Sequence, residues 1–582
     1  MTLTTCLAIL ALVLFSSPAA ASPPGDAPSP DFGPNVKIFD PSMADIQSRV
    51  DAVFDEQEKA QFGPGRFAFL FKPGQYSLDV RVGFYTQVAG LGLTPGDVHV
   101  SGAVRSIAKW MNGNATCNFW RSMENLAITP MRDNNINVWA VSQATWMRRV
   151  HLRGNIVLWD GGWSSGGFIA DSKIDGFIDS GSQQQWFSRN AEFGTWRGGN
   201  WNKVFVGAVN PPEGRWPEKP YTVIEKTPQI REKPFVAWRD GQFVVVAPKY
   251  NAEGTSGVSW GEGATSPELI PIDRFHIARA DRDSAESINA ALADGKHLIL
   301  TPGVYAIDQP VRVSRPGTIV LGLGYATLAP TGTGAALHVD DVSGVRIAGI
   351  ICDAAEAGTT SLITIGEPGS KASHAADPIV LSDVISRNGG ARGGRADCLM
   401  TIHSSNVIGD NLWIWRADHG EGAEWDINTA RNGLIVNGDD VTMYGLFNEH
   451  TQEYQTIWNG ERGRVYFYQS EMPYDPPSQE AWSHDGQGRP LASGPGRVRG
   501  YASYKVANHV REHEAWGLGV YCVFTDAPVI ADTAIEAPEV PGVKIRNMIT
   551  IRLAGVPGSG IARVINGRGE PVINTQKALL EK

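Results

Sequence analysis

Carboxylates, amides and aromatic rings are concentrated between residues 447 and 482, more densely than elsewhere in the chain. This segment holds Glu449 and Glu471, separated by short alternating runs typical of strands and by an Asn-Gly turn. Strands joined by one turn bring such acids together. A pocket of acids, amides and rings with few Lys or Arg fits a neutral polyhydroxylated ligand, because sugar rings stack on aromatics while their hydroxyls bond to amides and carboxylates.

Hydrolysis of a glycosidic bond is the chemistry that two such carboxylates favour. One carboxylic acid must stay protonated, and an inverting enzyme also activates water on the opposite ring face, with its carboxyl groups about 6.5–9.5 Å apart. Glu471 precedes Met472, Pro473 and Tyr474, neighbours that would raise its pKa by desolvation. The alternative for Glu471 is an exposed glutamate before a turn.

Three motifs in this region resemble the catalytic segment of glycoside hydrolase family 55, the β-1,3-glucanases or laminarinases. They are Phe-Asn-Glu-His at 447–450, Tyr-Gln-Thr-Ile-Trp-Asn-Gly-Glu at 454–461 and Tyr-Gln-Ser-Glu-Met-Pro-Tyr-Asp-Pro-Pro at 468–477. Matches at 69–76, 514–521 and 541–547 extend the resemblance over nearly the whole mature chain. It implies two tandem right-handed parallel β-helices, side by side, with the active site in the groove between them.

The resemblance also implies roles for single residues. Glu471 becomes the general acid and Gln143 the amide that positions water, while Glu449 is either the base or water orienter, or the acceptor of a substrate hydroxyl. For Gln143 a solvent-facing strand amide is the alternative, and for each tryptophan it is core packing. The residues implied at the sugar beside the scissile bond are Trp415, Asp418 and His419. The residues expected to complete the wall are Gln455, Trp458 and Tyr474.

The sequence predicts neither a metal nor another cofactor. Asp418 and His419 have no third ligand at a recognisable metal-site spacing. The cysteines of the mature chain have no Cys-x-x-Cys spacing. They are Cys117, Cys352, Cys398 and Cys522. These cysteines are either all buried free thiols or include one disulfide. Cys352 and Cys398 are the preferred pair for that disulfide.

Composition indicates an all-β protein that binds a neutral partner. The chain has 65 Gly, 36 Pro and only 19% charged residues, a composition typical of proteins rich in turns and strands. Its 582 residues are more than one hydrophobic core usually serves. Its net charge of −10 disfavours nucleic acid and anionic polysaccharide, since both need a basic surface. We therefore expect a monomer that binds a neutral polysaccharide, with no nucleic acid partner.

The N-terminus predicts export. Residues 7–15 form an apolar run, followed by small residues that end at Ala21, where we expect cleavage of a secretory signal. No Lys or Arg precedes the run, which departs from the usual pattern, and the run is shorter than the about 20 residues that span a bilayer. We expect a signal peptide at 1–21, a flexible leader at 22–31 and a secreted protein without a membrane anchor.

One order of elements occurs twice along the chain. A helical pattern at 43–57 and another at 284–294 are each followed by short strands, a Pro-Gly turn and a Gly-Leu-Gly. Such a repeat, continued by strands every 8–12 residues or so, predicts two parallel β-helices whose first coils are capped by the helices. The predicted domains are 32–275 and 276–582. A sandwich or a propeller is the competing all-β fold.

The sequence favours a secreted, inverting β-1,3-glucan hydrolase that acts from chain ends. A non-catalytic carbohydrate-binding β-helix is the second hypothesis, although the presence of Glu471 argues against it. A polysaccharide lyase or polygalacturonase on the same fold is the third, but it would need Lys, Arg or calcium to neutralise uronates. Exo or endo attack, chain length, the general base and the glucan linkage stay open.

Overall fold

The computed structural model describes residues 30–581 except 133, 262, 487–496 and 574. The predicted signal peptide and residues 22–29 of the predicted leader lie outside the described residues. The end of that leader, Asp31, is ion-paired with Arg279 at 2.6 Å and with Arg282 at 3.1 Å. In the described part of the chain, no helix combines the length and apolar character that a membrane crossing requires.

Two α-helices lie where the repeat predicts them, each at the start of one half. Helix α1 is Ile46–Gln57 and α2 is Ala285–Ala293, where Ser284 Oγ accepts from Ser287 N at 3.2 Å as the N-cap. Each helix buries one apolar face, including Phe54 in α1, against the first coils of its half. Short 3-10 helices occur at Pro95–Asp97, Lys109–Met111 and Ile272–Arg274.

The first half is a parallel β-helix. Its strands are β1 Val36–Phe39, β2 Phe67–Phe71, β3 Gly74–Arg81, β4 Thr86–Gly90, β5 Val98–Arg105, β6 Arg121–Pro130, β7 Ile136–Val138, β8 Trp146–Leu152, β9 Asn155–Val157, β10 Phe168–Ala170, β11 Lys173–Asp179, β12 Gln185–Arg189, β13 Glu192–Arg197, β14 Asn202–Val206 and β15 Tyr221–Ile224. The path β1-β2-β4-β6-β8-β10-β12-β14-β15 hydrogen-bonds coil to coil in parallel register.

A three-stranded antiparallel sheet follows the first half. Its strands are β16 Phe235–Arg239, β17 Gln242–Ala247 and β18 Glu268–Pro271. The sequence indicated only Pro-rich and Gly-rich connections around this sheet. Its apolar side chains, among them Val245, pack with residues of both halves in one buried cluster. The sheet therefore contributes to the contact between the two halves.

The second half is a longer parallel β-helix. Its strands are β19 Phe275–Ala278, β20 His297–Leu300, β21 Val304–Ile307, β22 Val311–Val313, β23 Ile319–Gly322, β24 Thr327–Pro330, β25 Leu337–Val339, β26 Arg346–Ala348, β27 Ile351–Asp353, β28 Thr359–Ile365, β29 Ile379–Asn388, β30 Ala396–Ile402, β31 Val407–Arg416, β32 Ala430–Val436, β33 Thr442–Glu449, β34 Thr456–Trp458, β35 Gly463–Glu471, β36 Ser483–His484, β37 Val498–Arg499, β38 Tyr504–Val506, β39 His513–Phe524, β40 Ile530–Ala531, β41 Ile535–Glu536, β42 Val543–Gly555, β43 Gly560–Ile561 and β44 Lys577–Leu580. One sheet follows β19-β20-β23-β26-β29-β31-β33-β35-β39-β42, and a second follows β22-β25-β28-β30-β32-β34-β38-β41.

Each β-helix has its own apolar core, and a third cluster lies between them. In this third cluster Phe187 of β12 contacts Phe467 of β35 with ring centroids 5.7 Å apart. The two halves therefore meet along their side faces, and both supply residues to the groove that the site occupies.

Buried charges also cross this interface. Arg148 of β8 is paired with Asp383 of β29 and with Asp410 of β31, each at 2.7 Å, and Arg189 of β12 reaches Asp410 at 2.9 Å. We call these residues, together with the ion pairs attached to them, the interdomain ionic network. The members that complete it are Lys233, Glu124 and Glu232. Because every contact is directional, the network fixes how the first half is placed against the second.

The described cysteines are free thiols, so the disulfide between Cys352 and Cys398 is wrong. Cys352 lies on β27, whereas Cys398 lies on β30 of the other sheet and directs its thiol to Met400 O at 3.1 Å. Burial raises the pKa of Cys398 to about 11, which keeps it protonated at neutral pH.

Candidate active site

Successive coils of the second half align the candidate residues in a column. Trp415 on β31 lies opposite Glu449 on β33, and Phe447 lies opposite Gln469 on β35. Two residues further along the same two strands, Glu449 and Glu471 face the same side. Parallel stacking therefore places two acids 22 positions apart in the chain only one coil apart in space.

A glutamine from the first half lies between these acids. Gln143 Nε2 donates to Glu449 Oε1 at 3.1 Å and to Glu471 Oε1 at 3.4 Å. Gln469 Nε2, from the same strand as Glu471, donates to these two oxygens at 2.7 and 3.4 Å. The site thus combines residues of both halves.

Aromatic donors hold the other carboxylate oxygens. Trp413 Nε1 donates to Glu449 Oε2 at 2.8 Å, and the Tyr474 hydroxyl donates to Glu471 Oε2 in a short hydrogen bond. Glu449 is 1% exposed and Glu471 is 5% exposed. Among the described residues no guanidinium or ammonium group contacts either acid, so their hydrogen bonds come from amides, an indole and a phenol.

Burial raises the pKa of both acids, most of all that of Glu449. The charge of Glu471 raises the pKa of Glu449 further, whereas His450 and the Tyr474 hydroxyl offset part of the rise at Glu471. Two carboxyl groups in this position do not both ionise readily, so the pair keeps one proton to higher pH than a free glutamate does. A retained proton is what a general acid requires.

The facing oxygens of the pair share two amide donors. Glu449 Oε1 and Glu471 Oε1 lie 2.7 and 3.4 Å from the same Gln469 nitrogen, and both accept from Gln143. These distances concern single oxygens, whereas the range of about 6.5–9.5 Å for inverting enzymes separates the two carboxyl groups. The separation of the carboxyl groups stays a prediction.

Gln143 lies in a turn that other buried polar groups hold. Its Oε1 accepts from Ser165 Oγ at 3.0 Å, and the next residue, Ala144, has a positive φ of 55°. Gln183 donates to Val141 O at 2.9 Å and accepts from the Gly166 backbone N–H at 2.6 Å. These bonds connect the turn before β8 with the turn before β10 and so orient the Gln143 amide toward the acids.

The open side of the pocket carries Asp418 and His419. His419 Nδ1 lies 3.0 Å from Asp418 Oδ1, and its Nε2 lies 2.6 Å from Gln61 Nε2 of the first half. Burial opposes the charge on His419, but hydrogen bonds to Asp418 and Cys117 raise its pKa to about 10. Burial likewise opposes ionisation of Asp418, yet His450 and His419 lower its pKa to about 2. The rim is thus an ion pair with polar atoms facing the opening.

Two predicted wall residues do not line the site. Trp458 is fully buried in the core of the second half against His513. The Gln455 amide bonds within its own turn, donating to Thr451 O at 2.7 Å. Trp415, predicted at the sugar, lies next to the site: it pairs with Glu449 across the strands and its ring lies 5.6 Å from that of His419, and its role stays a prediction.

Three residues that contact the acids or Gln143 were missed as site residues. They are Gln469, Trp413 and Ser165. The first two had a usable signal, because Gln469 is two residues from Glu471 and Trp413 is two from Trp415, so strand alternation puts each pair on one face. Ser165 had none, since its approach to Gln143 depends on the stacking of two turns.

One group of metal-ligand type lies elsewhere among the described residues. His338, Asp340 and Glu367 have ligand atoms within 4.8 Å of one another. Arg312 is paired with Asp340 at 2.8 Å, and His338 Nε2 lies 2.8 Å from Glu367 Oε1. These contacts already use the ligand atoms, so the group is explained as an ion-pair cluster on the sheet that contains β22, β25 and β28.

Comparisons with known proteins agree with this architecture. Residues 275–471 match the family model described as the LAM55 pectate lyase-like domain. The chain is 46% identical over 547 residues, 93% of this chain and 87% of the relative, to an exo-beta-1,3-glucanase of Streptomyces sp. (strain SirexAA-E / ActE). The structure of sacteLam55A from Streptomyces sp. SirexAA-E aligns with a TM-score of 0.90 at 43% identity, covering 95% of this chain and 99% of that chain. A variant of sacteLam55A in complex with glucose gives the same TM-score and identity, with 95% and 98% covered.

Proposed function

The chain belongs to glycoside hydrolase family 55, and from this we propose that it is an exo-acting β-1,3-glucanase in which Glu471 is the general acid. The observation that carries the proposal is the buried pair of Glu471 and Glu449, bridged by Gln143 from the other half. A binding protein would have no use for two acids whose burial raises their pKa. An enzyme that must protonate a leaving group does.

We assign the shared proton to Glu471 on the hydrogen bonds of the pair, although burial and the charge of Glu471 raise the pKa of Glu449 more. Glu449 accepts short N–H bonds from Gln143, Gln469 and Trp413, and such donors favour its ionised form. Glu471 has only longer contacts to the two amides, and the Tyr474 hydroxyl can exchange donor and acceptor roles when its partner is protonated. The proton on Glu471 passes to the glycosidic oxygen as the bond to the anomeric carbon breaks.

Water completes the reaction. We propose that Gln143 holds a water whose oxygen attacks the anomeric carbon from the opposite face, while Glu449 receives its proton. One C–O bond forms and one breaks, so the product has the inverted, α configuration. Glu471 regains its proton from solvent through the open side of the pocket near Asp418.

Attack from chain ends is supported by the relative that is 46% identical to this chain, an exo-beta-1,3-glucanase. The two acids are almost inaccessible, whereas the nearby side chains of Asp418 and His419 are 22% and 35% exposed. Among the described residues no Lys or Arg contacts Glu449 or Glu471, which agrees with a neutral substrate. Export by the predicted signal at residues 1–21 would bring the enzyme to that polymer.

The test compares substrates and product anomers. The protein is incubated with laminarin, lichenan, cellulose and polygalacturonate, and products are resolved by size and by early proton NMR. We expect release of glucose or one short oligomer from laminarin alone, appearing first as the α anomer. A ladder of oligomers would contradict exo action, and the β anomer appearing first would contradict inversion. Cleavage of polygalacturonate instead would overturn the substrate assignment.

A further inference from the structure

A second cavity lies apart from the carboxylate pair, where residues 248–260 and the β16–β18 sheet cover the first half. Its volume is about 650 Å³, inside the range of roughly 300–1,000 Å³ typical of small-ligand sites. We call it the linker cavity. Its lining includes Arg149, Asn190, Tyr250 and Trp260. No residue assigned above to the catalytic pocket lines it.

Hydrogen bonds to the first half preform this cavity. Ser259 Oγ donates to the buried Asp171 carboxylate at 2.8 Å, and Arg149 reaches the same carboxylate at 3.2 Å. Trp260 Nε1 donates to Asp171 O at 2.8 Å, and Asn190 Nδ2 donates to Gly257 O at 3.1 Å. The covering segment is therefore anchored at several points, and a ligand would not have to order it.

The buried charges around the linker cavity are already matched. Arg149 is paired with Asp171, and Glu232 is paired with Arg189 at 2.6 Å. The remaining lining cations are exposed at the rim, where solvent screens them. They are Arg239 and Lys249. Among the described lining residues, the interior consequently offers neutral groups and no unpaired cation that would select an anionic ligand.

Two partly exposed rings lie near the two ends of the covering segment. Tyr250 is oriented by its hydroxyl, which donates to Gln229 Oε1 at 2.6 Å, and Trp260 by its bond to Asp171 O. Oriented rings with an exposed amide such as that of Asn251 are a combination that binds sugar rings, because C–H faces stack while hydroxyls bond to amides.

We propose that the linker cavity is a second, non-catalytic binding site for a neutral gluco-oligosaccharide. The choice of β-1,3-glucan as its ligand rests on the proposed function, since a second site of the same specificity holds the polymer whose end is being cleaved. A site of this kind raises the local concentration of chain ends. Its effect falls on polymeric glucan and leaves a disaccharide unaffected.

Equilibrium dialysis with a radiolabelled β-1,3-glucan hexasaccharide tests whether the linker cavity binds the sugar. The full chain carrying Glu471→Gln, which binds without turnover, is expected to hold two molecules of the sugar. Adding Tyr250→Ala or Trp260→Ala is expected to weaken the second site about tenfold, as loss of one stacked ring predicts. Trp238→Ala, on the same sheet but outside the cavity lining, is the matched control and keeps both sites.

Several outcomes decide the proposal. One molecule bound to the Glu471→Gln chain, or two that neither ring variant alters, would overturn it. A cavity that takes a uronic acid oligomer in preference to the glucan would overturn the ligand assignment. Folding is checked in the active chain, where Tyr250→Ala and Trp260→Ala should leave disaccharide hydrolysis unchanged and reduce hydrolysis of laminarin. Failure of the proposed function is distinct, because the unmodified chain would then not hydrolyse laminarin at all.

Discussion

Two groups of buried carboxylates lie along the interface between the β-helices, and they differ in what faces them. In the interdomain ionic network, Asp410 accepts from the guanidinium groups of Arg148 and Arg189. In the catalytic pocket, Glu449 and Glu471 accept only from amides, an indole and a phenol. Both groups are buried, but their roles differ. The ion pairs of the interdomain ionic network hold the two halves in place, whereas the acids of the catalytic pocket transfer protons.

The direction of the pKa shifts records this difference. Burial would raise the pKa of Asp410, but the two arginines overcome it and lower the pKa. Its folded pKa is below the unfolded one, so Asp410 stabilises the fold at neutral pH and loses that contribution as pH falls through the folded pKa. The pKa of Glu471 is raised, so this group instead destabilises the fold at neutral pH and is relieved on protonation.

Replacing Glu471 by glutamine should have the largest effect on activity. An amide cannot donate a carboxyl proton, so kcat on laminarin should fall by about 10²–10⁴-fold while the hexasaccharide still binds. Exposed Glu514, which is paired with Lys544, provides the control Glu514→Gln with unchanged kcat. A Glu471→Gln chain with more than half of normal activity would remove Glu471 from this role.

Replacing Asp410 by asparagine should have the largest effect on stability. The change leaves Arg148 and Arg189 partly unpaired inside the interface, which typically costs about 3–5 kcal/mol. Guanidinium unfolding of this variant and of Glu514→Gln measures the free energy of unfolding. A loss below about 1 kcal/mol would show that the network does not hold the halves together.

The same Glu471→Gln chain should gain stability, in contrast to Asp410→Asn. Folding raises the pKa of this buried carboxyl, so replacing it with a neutral amide should raise the free energy of unfolding by about 1 kcal/mol at neutral pH. The gain should shrink as pH falls, because the carboxyl is then protonated in the unfolded chain as well. Thermal melts from acid to neutral pH measure this, and a lower melting temperature at neutral pH would contradict it.

Tyr474→Phe should give the smallest shift. The Tyr474 hydroxyl stabilises ionised Glu471, so its removal should raise the pKa of Glu471 and move the alkaline limb of kcat/KM upward by about half a pH unit. Tyr221→Phe, a remote phenol bonded to Gly198 O, is the control. A downward shift of the alkaline limb would show that Tyr474 does not act on Glu471 in this way.

The sequence predicted what is local or periodic. The capping helices, the short strands and the residues carrying the acids followed from pattern and resemblance. Trp458 was wrongly assigned to the pocket because its strand alternation admits either face, and the fold turned it inward against His513. A single sequence does not state which face of a coil meets the other half.

Long-range pairing was the part that the sequence did not reveal. Arg148 pairs with Asp410 over 262 positions, and Ser165 reaches Gln143 only because two turns stack. The amides that bridge Glu449 and Glu471 likewise come from both halves. Such contacts follow from the register of the coils and the docking of the two β-helices, neither of which has a local signature.

The central claim is that the catalytic pair keeps a proton and that Glu471 holds it. Infrared spectroscopy of the carboxyl stretching region at about pH 6, above the usual pKa of glutamate, tests this by comparing the wild-type chain with Glu471→Gln and Glu449→Gln. We predict a protonated, buried carboxyl band in the wild type that disappears in Glu471→Gln. A band that persists in Glu471→Gln and disappears in Glu449→Gln would contradict it, because Glu449 would then be the protonated acid.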